Sequence, residues 1–382
     1  MIACHLFLQN PPNQYTIPME SLCSHISGSE SPLCKSRSSP FSAKLNAGKQ
    51  EENQEMALKC RACRECNGIA CRGEIPGVGG KGTGSSFIHN VEALARIRIN
   101  MDVCAEPSEI STEAELLGMK LSMPVFAAPC AGIQNNYGYD ISEYDYSCQL
   151  LDACESLGIR GFTGDGIDPV NLFQKPAQAV NDHHGHGIVT IKPWVQKGIE
   201  ERIHLLEGLS FEAAAMDIDA AGLPLLRAGK TPVETKTAAS LRKVKQALGG
   251  KPFIVKGVMT VHAAETAIEA GADAIVVSNH GGRVLDGTPG TAEVLPEIAD
   301  AVKGKITILV DGGIRTGNDI FRCLALGADG VLIGRPFALS IVQGGSAQMI
   351  ALGKRLQDEL AETMRMTGCS TLAQIDRTKI RY

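Results

Sequence analysis

Eight short apolar runs recur along this 382-residue chain, at residues 124–129, 160–164, 187–193, 213–219, 252–257, 274–279, 306–312 and 330–335. Helical periodicity fills the gaps, for instance over 141–157, 197–209, 237–248, 261–270, 292–302 and 318–326, and glycines at 158, 249, 271, 304 and 327 supply the stops. Runs such as Ala274-Ile275-Val276-Val277 lack polar alternation, as befits strands covered on both faces. Eight strand–helix alternations without a long interruption predict an α/β fold, a parallel (β/α)8 TIM barrel, in preference to a doubly wound sheet. At 44% hydrophobic and 21% charged residues, the chain has enough apolar material for such a core.

Composition narrows the function. A net charge of −5 and a pI near 6.0 leave no basic footprint for nucleic acid, and 4% aromatics with one Trp provide few stacking surfaces for bases. No stretch approaches the roughly 18 apolar residues of a membrane span. A small-molecule enzyme is the remaining expectation.

Barrel enzymes place their chemistry at the C-terminal ends of the strands, and the polar residues fall there: Thr163, Thr190, Lys192, Asp217, Asp219, Lys256, His280, Asp311 and Arg335. The sixth run continues as Ser278-Asn279-His280-Gly281-Gly282-Arg283. The two glycines allow a sharp turn that brings Arg283 back over the mouth beside His280. An imidazole that titrates near neutrality and a guanidinium that grips a carboxylate bidentately suit a small 2-hydroxy acid. After the last two strands, Asp311-Gly312-Gly313-Ile314-Arg315 and Gly334-Arg335-Pro336 each lead into a helix. Glycine-freed amides, helix N-termini and two arginines there predict a phosphate site, with Lys256 facing the rest of the phosphorylated molecule.

The N-terminal third reads differently. Residues 1–55, rich in Ser, Pro, Asn and Gln, are expected to be a disordered tail without a secretory signal, and Met56 is an alternative start. Residues 56–106 form a Cys/Gly-rich extension with a lead-in helix, before a barrel over 107–382. Cys60, Cys63, Cys66 and Cys71 make a C-x2-C-x2-C-x4-C run, suited to a metal or an iron–sulfur cluster, with a disulfide pair or reduced thiols as the alternatives. The glycine-rich stretch 73–84 matches neither a dinucleotide fingerprint nor a P-loop, so a flexible backbone crossing the barrel mouth is expected. His183, His184 and His186 precede the third strand, at the face opposite the chemistry, and read as a solvated loop; Cys148, Cys154 and Cys323 read as core.

These residues carry a resemblance. Over residues 90–380 the chain resembles the FMN-dependent 2-hydroxy-acid oxidase and dehydrogenase family, the glycolate- and L-lactate-oxidising flavoproteins. The likeness lies in Arg96-Ile97, Met123-Pro124-Val125, Val255-Lys256-Gly257, the Ser278 to Arg283 motif, Asp311 to Arg315, Gly334-Arg335-Pro336 and the tail from Met366-Thr367-Gly368. The resemblance implies FMN as cofactor, His280 as general base oriented by Asp219, and Arg283 as the substrate's carboxylate clamp. It further implies Lys256 against flavin N1 and O2, and Pro129, Cys130 and Ala131 near N5. Thr163, Thr190 and Ser278 would contact the ring or ribityl chain, and Asp311, Gly313, Arg315, Gly334 and Arg335 the ribityl and phosphate end. A homo-oligomer is implied as well.

The departures concern the substrate. The family's N-terminal Tyr-Ala-Ser-Gly segment has no counterpart, Lys192 replaces a pocket tyrosine on the third strand, and Arg227 matches a second arginine only loosely, in a short loop over 220–236. The expected activity is cytoplasmic, FMN-dependent oxidation of an L-2-hydroxy acid, with the electron acceptor open between oxygen, a quinone and a protein. The competing readings are an FMN-barrel isomerase of the type 2 isopentenyl diphosphate isomerase kind and a flavin-binding protein without turnover.

Overall fold

The computed structural model describes residues 59–61, 63–227 and 231–382; the expected tail and the alternative start at Met56 lie outside the described residues. Twelve strands are described: β1 Arg98–Ile99, β2 Ala114–Leu116, β3 Met119–Leu121, β4 Val125–Ala127, β5 Arg160–Gly161, β6 Ile188–Ile191, β7 Ala213–Asp217, β8 Phe253–Val258, β9 Ala274–Val277, β10 Thr307–Asp311, β11 Gly330–Ile333 and β12 Ile380–Arg381. The main helices are α1 Ser85–Arg96, α2 Ile133–Tyr137, α3 Glu143–Leu157, α4 Lys175–Asp182, α5 Gln196–Leu205, α6 Pro224–Arg227, α7 Ala238–Ala247, α8 Val261–Glu269, α9 Thr291–Val302, α10 Gly317–Ala325 and α11 Arg335–Met366.

All eight expected strands form one sheet in the order β5-β4-β11-β10-β9-β8-β7-β6. The register is parallel throughout. The ring closes where Phe162, just past β5, pairs in parallel with Ile188 of β6. Parallel pairing needs a helical crossover between strands, which the periodic segments provide. β4, β6, β7, β9 and β11 are buried at every residue, which accounts for their apolar runs.

Two cores result. Inside the barrel, Phe126, Phe162, Ile188, Ala215, Ile254, Val276, Leu309 and Leu332 meet. Met119 and Leu121 of the antiparallel β2–β3 hairpin join that cluster. The larger core lies between the strands and the surrounding helices, and Cys154 and Cys323 belong to it. α4 fills a gap for which periodicity had named no helix. α11 is broken by Gly344 and Gly345, whose backbone is not helical. The chain end returns as β12 to pair with β1.

Candidate active site

The tips of β4, β6, β8, β9, β10 and β11 line one cavity of about 610 Å³ at the C-terminal mouth. At its base lies a chain of alternating charge. Lys192 Nζ is 2.5 Å from one oxygen of Asp217, Lys256 Nζ is 3.3 Å from the other, and Lys256 Nζ is also 3.3 Å from Asp311. Burial acts to raise the Asp217 pKa, but Lys192 and Lys256 outweigh it and hold the carboxyl well below the usual range. Burial likewise disfavours the Lys256 ammonium, and Asp217 and Asp311 reverse that, pushing its pKa above the ordinary lysine value. Lys256 is therefore a fixed cation, and it donates to Ser278 Oγ at 3.1 Å.

Above this chain stands His280. Its Nδ1 lies 2.9 Å from Asp219 Oδ1. A carboxylate only accepts, so Nδ1 carries the proton and Nε2 presents its lone pair. Desolvation lowers the His280 pKa below the ordinary value, against an upward pull from Asp219. The backbone explains the placement. His280 sits in the left-handed region at φ 57°, and Gly281 and Gly282 continue there at 61° and 77°. That run turns the chain directly after β9 and delivers Arg283 to the same mouth. Asp219 is held from behind by Gly257, at φ 101°, where an added Cβ would lie 2.6 Å from the Asp219 carboxyl carbon.

Arg283 donates to the Gly77 carbonyl through one terminal nitrogen and to Asn136 Oδ1 at 3.0 Å through the other. A guanidinium has five N–H donors, so these two contacts fix its plane and leave donors for a carboxylate. Tyr137 also lines the cavity; its phenol lies against the Cys130 thiol and within electrostatic reach of Arg283.

The glycine-rich stretch does cross the mouth, but as a pinned strap. Asp286 accepts from Thr83 N at 2.6 Å and Thr83 Oγ1 at 2.8 Å, and from Ser85 N at 3.1 Å and Ser85 Oγ at 2.7 Å. These bonds, led by the Ser85 hydroxyl, hold the Asp286 pKa below its ordinary value. Lys81 Nζ donates to the Val284 carbonyl at 2.8 Å. α1 is locked to the β9 loop by a reciprocal amide pair, Asn90 with Asn279, at 2.8 and 3.1 Å. Arg335 stacks on Phe87, 3.9 Å from the ring centre, and donates to the carbonyls of Val78 and Gly281 at 2.7 and 2.8 Å.

Of the residues singled out from sequence, Pro129, Cys130, Ala131, Lys192, Lys256, His280 and Arg283 line the cavity, as do Asp311, Gly313, Arg315, Gly334 and Arg335. Thr163, Thr190 and Ser278 are buried behind that lining, and Arg227 is exposed and outside it. The start of α10 differs from the expected phosphate cradle. Asp319 accepts from the amides of Arg315 and Thr316, both at 3.0 Å, and Glu359 accepts from that of Gly317 at 2.7 Å. Side chains thus occupy the amides of Arg315, Thr316 and Gly317, while Gly312 and Gly313 line the cavity. The start of α11, by contrast, has no side-chain cap, and its N-cap Gly334 lines the cavity. His183 behaves as loop structure, bonding to the Ala179 carbonyl and Asp152.

Sequence reasoning passed over Asn136, Tyr137, Phe87 and the Asn90–Asn279 pair. The one available signal was the polar-aromatic run Asn135-Asn136-Tyr137-Gly138-Tyr139 directly after the first barrel strand.

The site fits FMN on its own terms. Two buried oxygens, Thr190 Oγ1 and Asp311 Oδ1, lie at or beside strand tips without a hydrogen-bond partner, which matches a ligand carrying hydroxyls and ring polar groups. Lys256 provides a permanent cation at the base, and Arg315 and Arg335 stand by the uncapped helix. Among the described residues no helix is long and apolar enough to cross a membrane.

The sequence matches the profile of the FMN-dependent dehydrogenases over residues 78–221 and 227–382. It is 39% identical over 319 residues to an L-lactate oxidase of Lactobacillus jensenii, covering 78% of this chain and 76% of the relative. It is 31% identical over 326 residues to glycolate oxidase 3 of Arabidopsis thaliana, covering 76% and 86%. Among solved structures, a mandelate oxidase mutant bearing a monooxide FMN adduct superposes with a TM-score of 0.65 at 26% identity, over 79% of this chain and 93% of that one. The chain belongs to the FMN-dependent dehydrogenase family.

Proposed function

We infer that this chain is an FMN-dependent oxidoreductase that converts an L-2-hydroxy acid into the 2-oxo acid. The observation that carries this reading is the pairing of a desolvated, carboxylate-oriented His280 with an oriented Arg283 at one mouth, above the buried Lys256. FMN, when bound, takes up the two electrons that leave the substrate. Arg283 grips the substrate carboxylate and so fixes the carbinol carbon relative to His280. Nε2 of His280 takes the hydroxyl proton while the hydrogen on the carbinol carbon leaves with the two electrons, Nδ1–H remains with Asp219, and the Asp219 carboxylate stabilises the imidazolium that forms. Such general-base assistance is worth about 10²–10⁴ in rate.

Pro129, Cys130 and Ala131 are assigned to the ring, with Lys256 at its electron-rich edge and Thr163, Thr190 and Ser278 supporting it. Asp311, Gly313, Arg315, Gly334 and Arg335 are assigned to the ribityl and phosphate end, with the uncapped start of α11 among the groups facing the phosphate. Lys192, anchored on Asp217, faces the substrate side of the cavity.

Ile75, Leu223 and Leu226 form an apolar part of the lining. That wall favours an alkyl substituent over the bare hydrogen of glycolate, and places L-lactate and its longer homologues first among substrates. A cytoplasmic location is part of this reading, supported by the buried thiols Cys154, Cys323 and Cys369, which need no oxidising compartment. So is a homo-oligomer, which light scattering on the purified protein reads directly. The acceptor is oxygen, a quinone or a protein, and turnover with each separates them. An isomerase reading loses ground because Arg283 and His280 are arranged for one carboxylate, and a diphosphate would leave the base without a substrate proton in reach of that grip.

The test is an anaerobic absorbance titration of the flavin-loaded protein with L-lactate, D-lactate, glycolate and longer L-2-hydroxy acids. Bleaching by the L-acids, with alkyl acids ahead of glycolate, is expected. A spectrum unmoved by any of them would return the argument to the isomerase or the non-catalytic flavoprotein.

A further inference from the structure

The oxidation chemistry makes no use of the four cysteines ahead of the strap. Cys60, Cys63, Cys66 and Cys71 nevertheless line a single cavity of about 730 Å³, which shares Tyr137, Arg315 and Arg335 with the catalytic one. The segment is folded onto the barrel. Arg315 donates to the Cys66 carbonyl at 3.2 Å and approaches the Cys66 sulfur at 3.4 Å. The Cys71 thiol lies within electrostatic reach of Cys60, Cys66 and Arg335, while burial raises its pKa. The turn around Cys71 is close-packed: a Cβ on Gly79 would come 1.7 Å from the Cys71 carbonyl oxygen.

We propose that Cys60, Cys63, Cys66 and Cys71 are the thiolate ligands of a [4Fe–4S] cluster seated beside Arg315 at the phosphate end of the catalytic cavity. Three cysteines at two-residue spacing are the pattern that opens cluster-binding runs, all four cysteines line one cavity, and Cys71 supplies the fourth ligand. Structural zinc sites more often pair two separate cysteine or histidine knuckles. A cluster held by four thiolates carries net negative charge, and Arg315 and Arg335 place compensating guanidinium groups at its cavity. Cluster and catalytic site are then mechanically linked, because the same loop runs on to Gly77 and Val78, whose carbonyls hold Arg283 and Arg335.

This assignment stands apart from the oxidation reading, and its test reads a different quantity. The full chain is purified anaerobically, reconstituted with ferrous iron and sulfide, and assayed for iron, acid-labile sulfide, zinc and FMN. About four irons and about four sulfides per chain are expected, with an electron paramagnetic resonance signal after dithionite reduction. Cys63→Ser combined with Cys66→Ser is expected to lose most of the iron and sulfide, whereas Cys104→Ser, on an exposed cysteine outside the run, keeps both. Protein that binds FMN but takes up neither iron nor sulfide, or that instead holds one zinc per chain without sulfide, overturns the proposal and leaves the flavin chemistry untouched. Should the double variant fail to fold, the iron and sulfide content of the unaltered chain decides alone.

Discussion

The barrel mouth and the strap that crosses it build one site by opposite means. At the mouth, each functional side chain stands on or just after a strand tip, and its neighbours include side chains from other tips: Asp217 with Lys192 and Lys256 from the adjacent strands, His280 with Asp219 from two strands away. In the strap, the contacts are main-chain carbonyls, those of Gly77 and Val78, reaching Arg283 and Arg335. Strand tips fix position through the sheet, so a changed side chain there alters chemistry more than shape. A strap fixes position through its own pinning bonds, so loosening a distant anchor changes binding before it changes chemistry.

The sharpest way to separate the two is Asp219→Asn. The imidazole loses the carboxylate that sets its tautomer and stabilises its charged form, and kcat is expected to fall roughly 10²–10⁴-fold with KM little changed. Single-turnover flavin reduction measures it. Arg283→Lys acts at the junction of both regions: a lysine cannot hold Gly77, Asn136 and a carboxylate in one plane. Loss of about 2 kcal/mol of substrate binding is expected, appearing chiefly in KM.

Asp286→Ala releases the strap alone. Its four hydrogen bonds to Thr83 and Ser85 disappear, and a loss of about 1 kcal/mol in stability, discounted for partial exposure, is expected from thermal unfolding. KM should rise while the pH profile stays in place. If Asp286→Ala instead depressed kcat as Asp219→Asn does, the division between the two regions would fail.

The smallest effect is in that pH profile. Catalysis needs neutral His280, so kcat/KM rises as pH climbs through its pKa. Desolvation sets that pKa below 6.5, so the acid limb is expected below pH 6.5. Because Asp219 pulls the value up, Asp219→Asn moves the limb to lower pH. Because Lys192 pulls it down, Lys192→Met moves it to higher pH. Profiles of kcat/KM for the three proteins check both signs.

The same contrast governs what could be read from residues alone. Parallel strands buried on both faces leave uninterrupted apolar runs, so β4 to β11 were visible, and with them the tips that carry Lys256, His280 and Asp311. The Gly281-Gly282 turn was visible because left-handed backbone selects glycine. The crossing of the mouth by the glycine-rich stretch was visible too, but its pinning was not, since Gly77 acts through a carbonyl that every residue possesses. Phe87 was hidden for a related reason: on an amphipathic helix it reads as core, and its stacking on Arg335 depends on a loop from the far end of the chain. The capping of the Gly317 amide at the α10 start also escaped notice, because Glu359 arrives from α11.

The central claim is that His280, oriented by Asp219, removes the substrate proton. Its most direct test is the anaerobic rate of flavin bleaching by L-lactate in His280→Ala, matched to the unaltered protein for FMN content. A rate lower by about 10²–10⁴, with flavin still bound, is the predicted result. Bleaching at an undiminished rate would contradict the account and remove the base from the mechanism.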